Sequence, residues 1–465
     1  MFVSALPKRK QPIMKDNILP ADTSPILRAL LALWIIAIGF TEVWVLPVTD
    51  TKVQPPEIIF ILLLLFVGVD FWKNGFRNLF RRAGILERGL FLYLAAVCLS
   101  AIFNPVLKSW LEVAGILYLL AAFGIYRTYF SANEIYKWLI VSGLLASLLG
   151  VLGWVLTQSG INNVMAWSKT TYYPYFGYIG RAKGFTPNPN MLMSIVAVIF
   201  LLKFSEVLFK KNIPRKDFWV LGILLTAGIL TFAKTFLALL IAVIFVWVKS
   251  GSIHRAPACA HARCPVGQFG RSLLLTAALG LFLVLMTGAH IAVFPKNQVN
   301  WEGLKKEAYT EDHPFYETRD YYFIWTNYMV NKRSATLAGL RNPLFGVGPG
   351  GHNAFVAQLK KEGRYPSFFS DYDPHSTYFG AWGELGLAGL AAVLFLALAV
   401  FRSLRTVLNE LPPERLYFGV GLAGAFLYLA IEAITTDILN FRHVWLLFVL
   451  LSLLKLETRT AQTQP

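Results

Sequence analysis

Long apolar stretches alternate with short polar connections from Ile26 to Leu456. They fall at roughly 26–46, 57–72, 87–103, 109–126, 135–157, 190–208, 217–233, 235–249, 271–294, 377–401, 415–433 and 441–456. Several approach the ~20 residues that an α-helix needs to cross a hydrocarbon core. Lipid gives backbone N–H and C=O groups no partner, so each crossing satisfies itself as a helix. The pattern predicts an all-α polytopic membrane protein with about 12 transmembrane helices. One connection breaks the rhythm, at residues 295–376, between the ninth and tenth stretches. The expected organisation is a tail over 1–25, helices one to nine over 26–294, the long loop, helices ten to twelve over 377–456, and a tail over 457–465.

Charge decides which way the chain is threaded. Alternate connections hold 26 of the 43 Lys and Arg residues, in clusters such as Lys8, Arg9 and Lys10, or Lys210, Lys211 and Arg215. Of the other 17, ten lie in the long loop, where nine Asp and Glu nearly balance them. Short basic loops stay cytoplasmic, whereas long loops are exempt from that bias. Both termini are therefore expected in the cytoplasm and the 295–376 loop on the periplasmic face. A net charge of +17 suits flanks that meet anionic headgroups. No basic stripe is organised to read a groove, which excludes nucleic acid as a partner. Cys259 and Cys264 share a basic loop with His254 and His261, but the spacing fits no closed zinc site. No metal or cofactor is expected.

The chemistry concentrates on the external side. A long loop in a compact protein is usually functional, and this one reads as a helix from about Arg319 to Leu340. A turn, Gly346-Val347-Gly348-Pro349-Gly350-Gly351, and a short helix from about Asn353 to Lys361 follow. The turn lacks the Lys-Ser/Thr of a nucleotide loop and suits close backbone approach instead. Arg181, Arg319 and Lys234 are external cations in or beside loops that follow or precede a span, and such groups converging would hold a diphosphate. Headgroup contact, or a local pair such as Arg319 with Glu317, is the plain alternative. His375 follows a proline directly before the tenth span, where an imidazole can take a proton from a hydroxyl. Asp371 and Asp373 can orient it, bind a divalent cation or simply be solvated, and His313 and His352 are rivals for the same role.

The chain resembles the O-antigen ligase and polymerase family of bacterial envelope glycan transferases. Four short motifs carry the resemblance, in order. They are Gly180-Arg181-Ala182-Lys183-Gly184 with Asn188-Pro189-Asn190, then Asn342-Pro343-Leu344-Phe345-Gly346-Val347-Gly348-Pro349-Gly350, then Pro374-His375-Ser376-Thr377-Tyr378-Phe379, then Trp382-Gly383-Glu384-Leu385-Gly386-Leu387-Ala388-Gly389-Leu390. They span about residues 176–400, and the first five spans agree by topology alone. The resemblance implies transfer of a glycan from undecaprenyl diphosphate to an acceptor hydroxyl, without nucleotide or metal, in the bacterial inner membrane. It implies His375 as the catalytic base and Arg181, Arg319 and Lys234 as donor-diphosphate ligands, with Lys183, Asp373 and Glu384 in support. Where the family often has Ser-Arg, this chain has Lys234-Thr235, which keeps the charge and loses the fork.

A diphosphate leaving group asks an enzyme to neutralise developing charge and to position an acceptor. Cations and one base meet that need. The acceptor is lipid A-core for a ligase, another lipid-linked glycan for a polymerase, or protein for a third branch. The two-arginine, one-histidine pattern favours the ligase. A polysaccharide or lipid transporter is the reading from another class, but it asks for polar or broken helices at the midplane.

Overall fold

The structure, a computed structural model, describes residues 24–42, 46–48, 51–70, 84–161, 168–173, 177–254, 290–306, 308, 310–371 and 373–463. The Cys259–Cys264 loop, most of the ninth apolar stretch, most of the expected N-terminal tail and the last two residues lie outside them. Six described helices are long and apolar enough to cross a membrane. Three more are apolar but shorter, α1 (Pro25–Ala37), α2 (Pro55–Asp70) and α8 (Phe236–His254). The long ones are α3 (Ile85–Phe103), α4 (Leu107–Tyr129), α5 (Ala132–Gln158), α6 (Pro189–Phe209), α12 (Thr377–Glu410) and α13 (Leu416–Glu432, with a 3₁₀ lead-in from Pro413). With α7 (Arg215–Leu230) and α14 (Arg442–Thr463) they make a mostly helical bundle with the build of a multi-pass membrane protein.

The bundle is centred on α6, which is buried around almost its whole circumference and packs on α13, α7 and α8. A helix apolar on every side belongs inside a bundle. Small residues allow the approach, with Gly421 on α13 facing the Leu202 backbone and Gly424 facing Val246. One polar knot lies in this core. Ser194 on α6 donates to Glu432 on α13 at 2.7 Å and lies 2.9 Å from Nε2 of His443 on α14, all three side chains being buried. It ties three helices just inside the end where α6 begins and α13 ends. The opposite end of α6 carries its own network, in which Lys203 and Lys210 bridge Glu206 and Asp217.

The connections are less purely helical than expected. Strands β1 (Leu46–Val48) and β2 (Thr51–Val53) form one hairpin, and β3 (Ser168–Tyr173) with β4 (Gly177–Ala182) another. In the long loop, β5 (Ile291–Pro295), β6 (Tyr316–Glu317) and β7 (Tyr321–Trp325) make an antiparallel sheet in the order β5-β7-β6. Two boundaries move in consequence. Residues 291–294, expected to end the ninth span, are strand, and the helix expected from Arg319 begins at Asn327. The cause is local, because Tyr321-Tyr322-Phe323-Ile324-Trp325 is an aromatic and β-branched run that pairs with Ile291-Ala292-Val293-Phe294-Pro295. Beyond a short helix α9 (Trp301–Lys306), the loop contains α10 (Asn327–Arg341) and α11 (His352–Lys361), the latter close to its expected bounds.

The Gly-rich turn docks the loop on the bundle. Gly346, Gly348 and Gly350 all have positive φ, a region only glycine enters freely. A Cβ on Gly346 would stand 2.2 Å from the Glu384 carbonyl carbon. On the other side of the contact α12 kinks at Gly386 (φ 66°, ψ −154°), whose neighbour Leu387 donates to the Pro343 carbonyl at 2.8 Å. The Asn104-Pro105 turn closes the joint, with Ser100 Oγ donating to the carbonyls of Phe345 and Glu384 and Ser109 Oγ to that of Pro349. These glycines are therefore structural.

Candidate active site

Four residues from separate elements line up at the end of the bundle where α6 begins. Arg181 lies on β4, opposite Lys169. Its Nε donates to the Thr231 carbonyl at 2.6 Å, and a terminal nitrogen donates to Asn190 Oδ1 at 2.9 Å. Asn190 stands in the first turn of α6, which starts there because Asn188 caps Met191 N–H and Pro189 suits the first helical position. Thr231 is the C-cap of α7. The guanidinium is thus aimed by two helix ends.

Lys234 sits in the tight α7–α8 turn, where Phe232 takes a φ of +46°. Burial first, and then the nearby Arg181 charge, lower its pKa to about 8. The two cations share a neighbourhood, as the sequence led us to expect. Lys234 Nζ lies 5.4 Å from the centre of the Tyr328 ring, a cation–π spacing. That ring is 5.8 Å from the imidazole of His375. Tyr328 therefore bridges cations and histidine.

His375 has a φ of +46°, which is uncommon for a residue with a side chain. Asp373 holds it there, taking a bond from the His375 backbone N–H at 3.1 Å and lying 2.5 Å from Nδ1. That pairing puts the neutral ring's proton on Nδ1 and makes Nε2 the basic nitrogen. The side chain is 36% exposed, so an acceptor can reach it. The next residues are fastened to the bundle. Ser376 Oγ donates to the Ala433 carbonyl and Thr377 Oγ1 to that of Thr436.

α10 brings Tyr328 to this place because Gly339 and Gly383 let it press against α12. A Cβ on Gly383 would lie 2.8 Å from the Ala335 carbonyl oxygen. Behind His375 opens a cavity of about 380 Å³, walled by Asp373, Lys108, Glu112, Glu384 and Asp437. Asp437 was not legible as a site residue, since it follows Glu432 in an ordinary-looking turn. Burial, and next the nearby Asp373 charge, push its carboxyl up to about 6. It also accepts from Thr377 Oγ1 at 3.3 Å.

The remaining sequence candidates separate. Lys183 is buried in an ion pair with Glu42 at 2.7 Å, and beside it Glu42 N–H meets the Phe185 carbonyl, so it fastens the β3–β4 hairpin region to the end of α1. Glu384 accepts from the N–H groups of Gly350 and His352 and anchors the Gly-rich turn while lining the cavity. Arg319 stands exposed in the β6–β7 turn. Among the described residues no hydrogen bond, ion pair or ring contact joins it to Arg181, Lys234, Tyr328 or His375. The structure thus does not bring Arg319 to the Arg181 row. Of the rival histidines, His352 is fully buried against Ser334, and His313 is an exposed partner of Asp312.

No family model matches the chain, and no curated protein matches it in sequence. The functional reading therefore rests on the site itself and on the motifs.

Proposed function

We propose that this chain is a polytopic inner-membrane glycan transferase, with twelve spans and both termini in the cytoplasm. It moves a glycan from undecaprenyl diphosphate to an acceptor hydroxyl at the periplasmic face. The observation that carries the reading is the continuous row Arg181–Lys234–Tyr328–His375. Two cations at one end suit a diphosphate, and a base held by a carboxylate at the other suits a hydroxyl. As the glycan's bond to the diphosphate oxygen breaks, negative charge grows on the diphosphate, where Arg181 and Lys234 can neutralise it. His375 Nε2 takes the acceptor proton as the new glycosidic bond forms. Asp373 keeps the imidazole oriented and stabilises it once charged.

The acceptor we favour is lipid A-core, which makes the chain an O-antigen ligase. A polymerase would use the same donor groups. Deleting the gene and resolving lipopolysaccharide on a gel separates the two. Uncapped core, with glycan stranded on the carrier, is the expected result. Core bearing a single repeat would reassign the chain as a polymerase, and unchanged lipopolysaccharide would contradict both.

A further inference from the structure

α10 displays Tyr328, Lys332 and Thr336 at four-residue spacing, hence on one face. The first touches the candidate active site, and the other two line a second cavity of about 880 Å³ in the external loop. Phe379, one turn into α12 from His375, forms part of its wall, so the two spaces adjoin. Further lining comes from the Glu311–His313 turn and the Gly363–Phe368 segment.

Lys332 is only 3% exposed, and no carboxylate pairs with it among the described residues. Its contacts are His290 Nε2 and, at 5.7 Å, the Phe379 ring. The cations around it are differently placed. Arg333 pairs with Glu311 at 3.3 Å, Lys360 with Asp371 at 2.6 Å, and Arg364 reaches Glu362 at 3.9 Å. Asp312 is occupied by Lys305 and His313. The cavity is thus left with a desolvated ammonium that these acids do not neutralise. Burying a charge in that way is costly unless an opposite charge arrives. The volume lies in the upper range for ligand pockets, ~300–1,000 Å³.

We infer that this cavity receives a segment of the glycan substrate that bears a carboxylate or a phosphate, with Lys332 as the group that meets the anion. The inference rests on the glycan-transfer reading and narrows it to acidic glycans. Burial lowers the Lys332 pKa to about 7. An incoming anion favours the charged form, so binding takes up a proton and weakens as pH rises through that value. The other titratable groups that meet or share the space with Lys332 are His290, His313, Tyr365, Glu311, Asp312, Arg333, Lys360 and Arg364. Replacing Lys332 separates its contribution from theirs.

The test is equilibrium binding to the full chain in nanodiscs, without donor lipid and without turnover. Three probes are compared: trigalacturonate, its fully methyl-esterified form, and a trisaccharide monophosphate. At pH 6.5 at least one anionic probe should bind about tenfold more tightly than the ester. Which of the two does so identifies the anion. That preference should fall at least fivefold by pH 8, disappear in Lys332→Gln and persist in Lys332→Arg. His375→Ala should leave it intact, so loss of transfer chemistry and loss of this site are read separately. Equal affinity for ester and anions in the wild type would overturn the inference. So would a preference that Lys332→Gln retains. If Lys332→Gln does not fold, a pH-independent preference in the wild type overturns it equally.

Discussion

Replacing His375 with alanine is expected to lower glycan transfer by about 10²–10⁴-fold, the usual contribution of general-base assistance. Protein level and donor binding should survive, because the imidazole is partly exposed and alanine keeps the same backbone demand at this positive φ as histidine. The same change at His313, which is exposed and paired with Asp312, should leave the rate nearly unchanged. His352→Ala is expected to lower stability instead, through loss of its buried contact with Ser334. Asp373→Asn should fall between these cases, since it keeps a side chain near Nδ1 but removes the charge that favours the imidazolium. Rate–pH profiles of wild type and His375→Gln make the sharper comparison. A limb near neutrality that both share would assign the base to another group, and Asp437 would be the first to examine.

The second large effect belongs to Arg181. Loss of one preorganised donor to a developing oxyanion costs about 10²–10³ in rate, so Arg181→Ala should drop transfer by that factor. Arg181→Lys should already fail in large part, because lysine cannot hold Thr231 and Asn190 while presenting a planar fork. Correct expression and unchanged thermal unfolding are the controls, since those bonds also join two helix ends. Lys234 supplies a pH signature. Its folded-state pKa is depressed to about 8, so the charge available to a diphosphate is lost as pH climbs past that value. Donor KM is therefore expected to rise between pH 7 and pH 9 in the wild type and to stay flat in Lys234→Arg. A flat wild-type profile would remove Lys234 from the donor site.

The helices were legible because lipid imposes one local rule on every crossing, and eleven of the twelve expected stretches coincide with helical elements, some of them short. The strands were not. Tyr321–Trp325 pairs with residues near 291–295, and no window along the sequence contains both partners. Arg181 and Lys234 could be singled out because each stands in a connection next to an apolar helix, a position set by chain order. Arg319 misled for the complementary reason. A cation inside a long loop has no such fixed depth, and here a hairpin carries it outward. Tyr328 and Lys332 gave no signal, since an aromatic and a lysine on an extramembrane helix ordinarily face water. Their burial follows from Gly339 and Gly383, which draw α10 against α12. Lys183 and Glu384 lay in the motifs, but sequence could not separate a residue that holds a loop in place from one that meets substrate.

In the proposed reaction the cations at one end of the Tyr328 bridge and the base at the other act on a single donor–acceptor pair. The most direct measurement is a single-turnover reaction with the purified chain in nanodiscs, a labelled glycan on undecaprenyl diphosphate, and lipid A-core. Glycan-bearing acceptor and free undecaprenyl diphosphate should form in equal amounts, both slowed about 10²–10⁴-fold in His375→Ala, which still binds the donor. Carrier diphosphate released without acceptor product, or both products formed at the wild-type rate by His375→Ala, would contradict it.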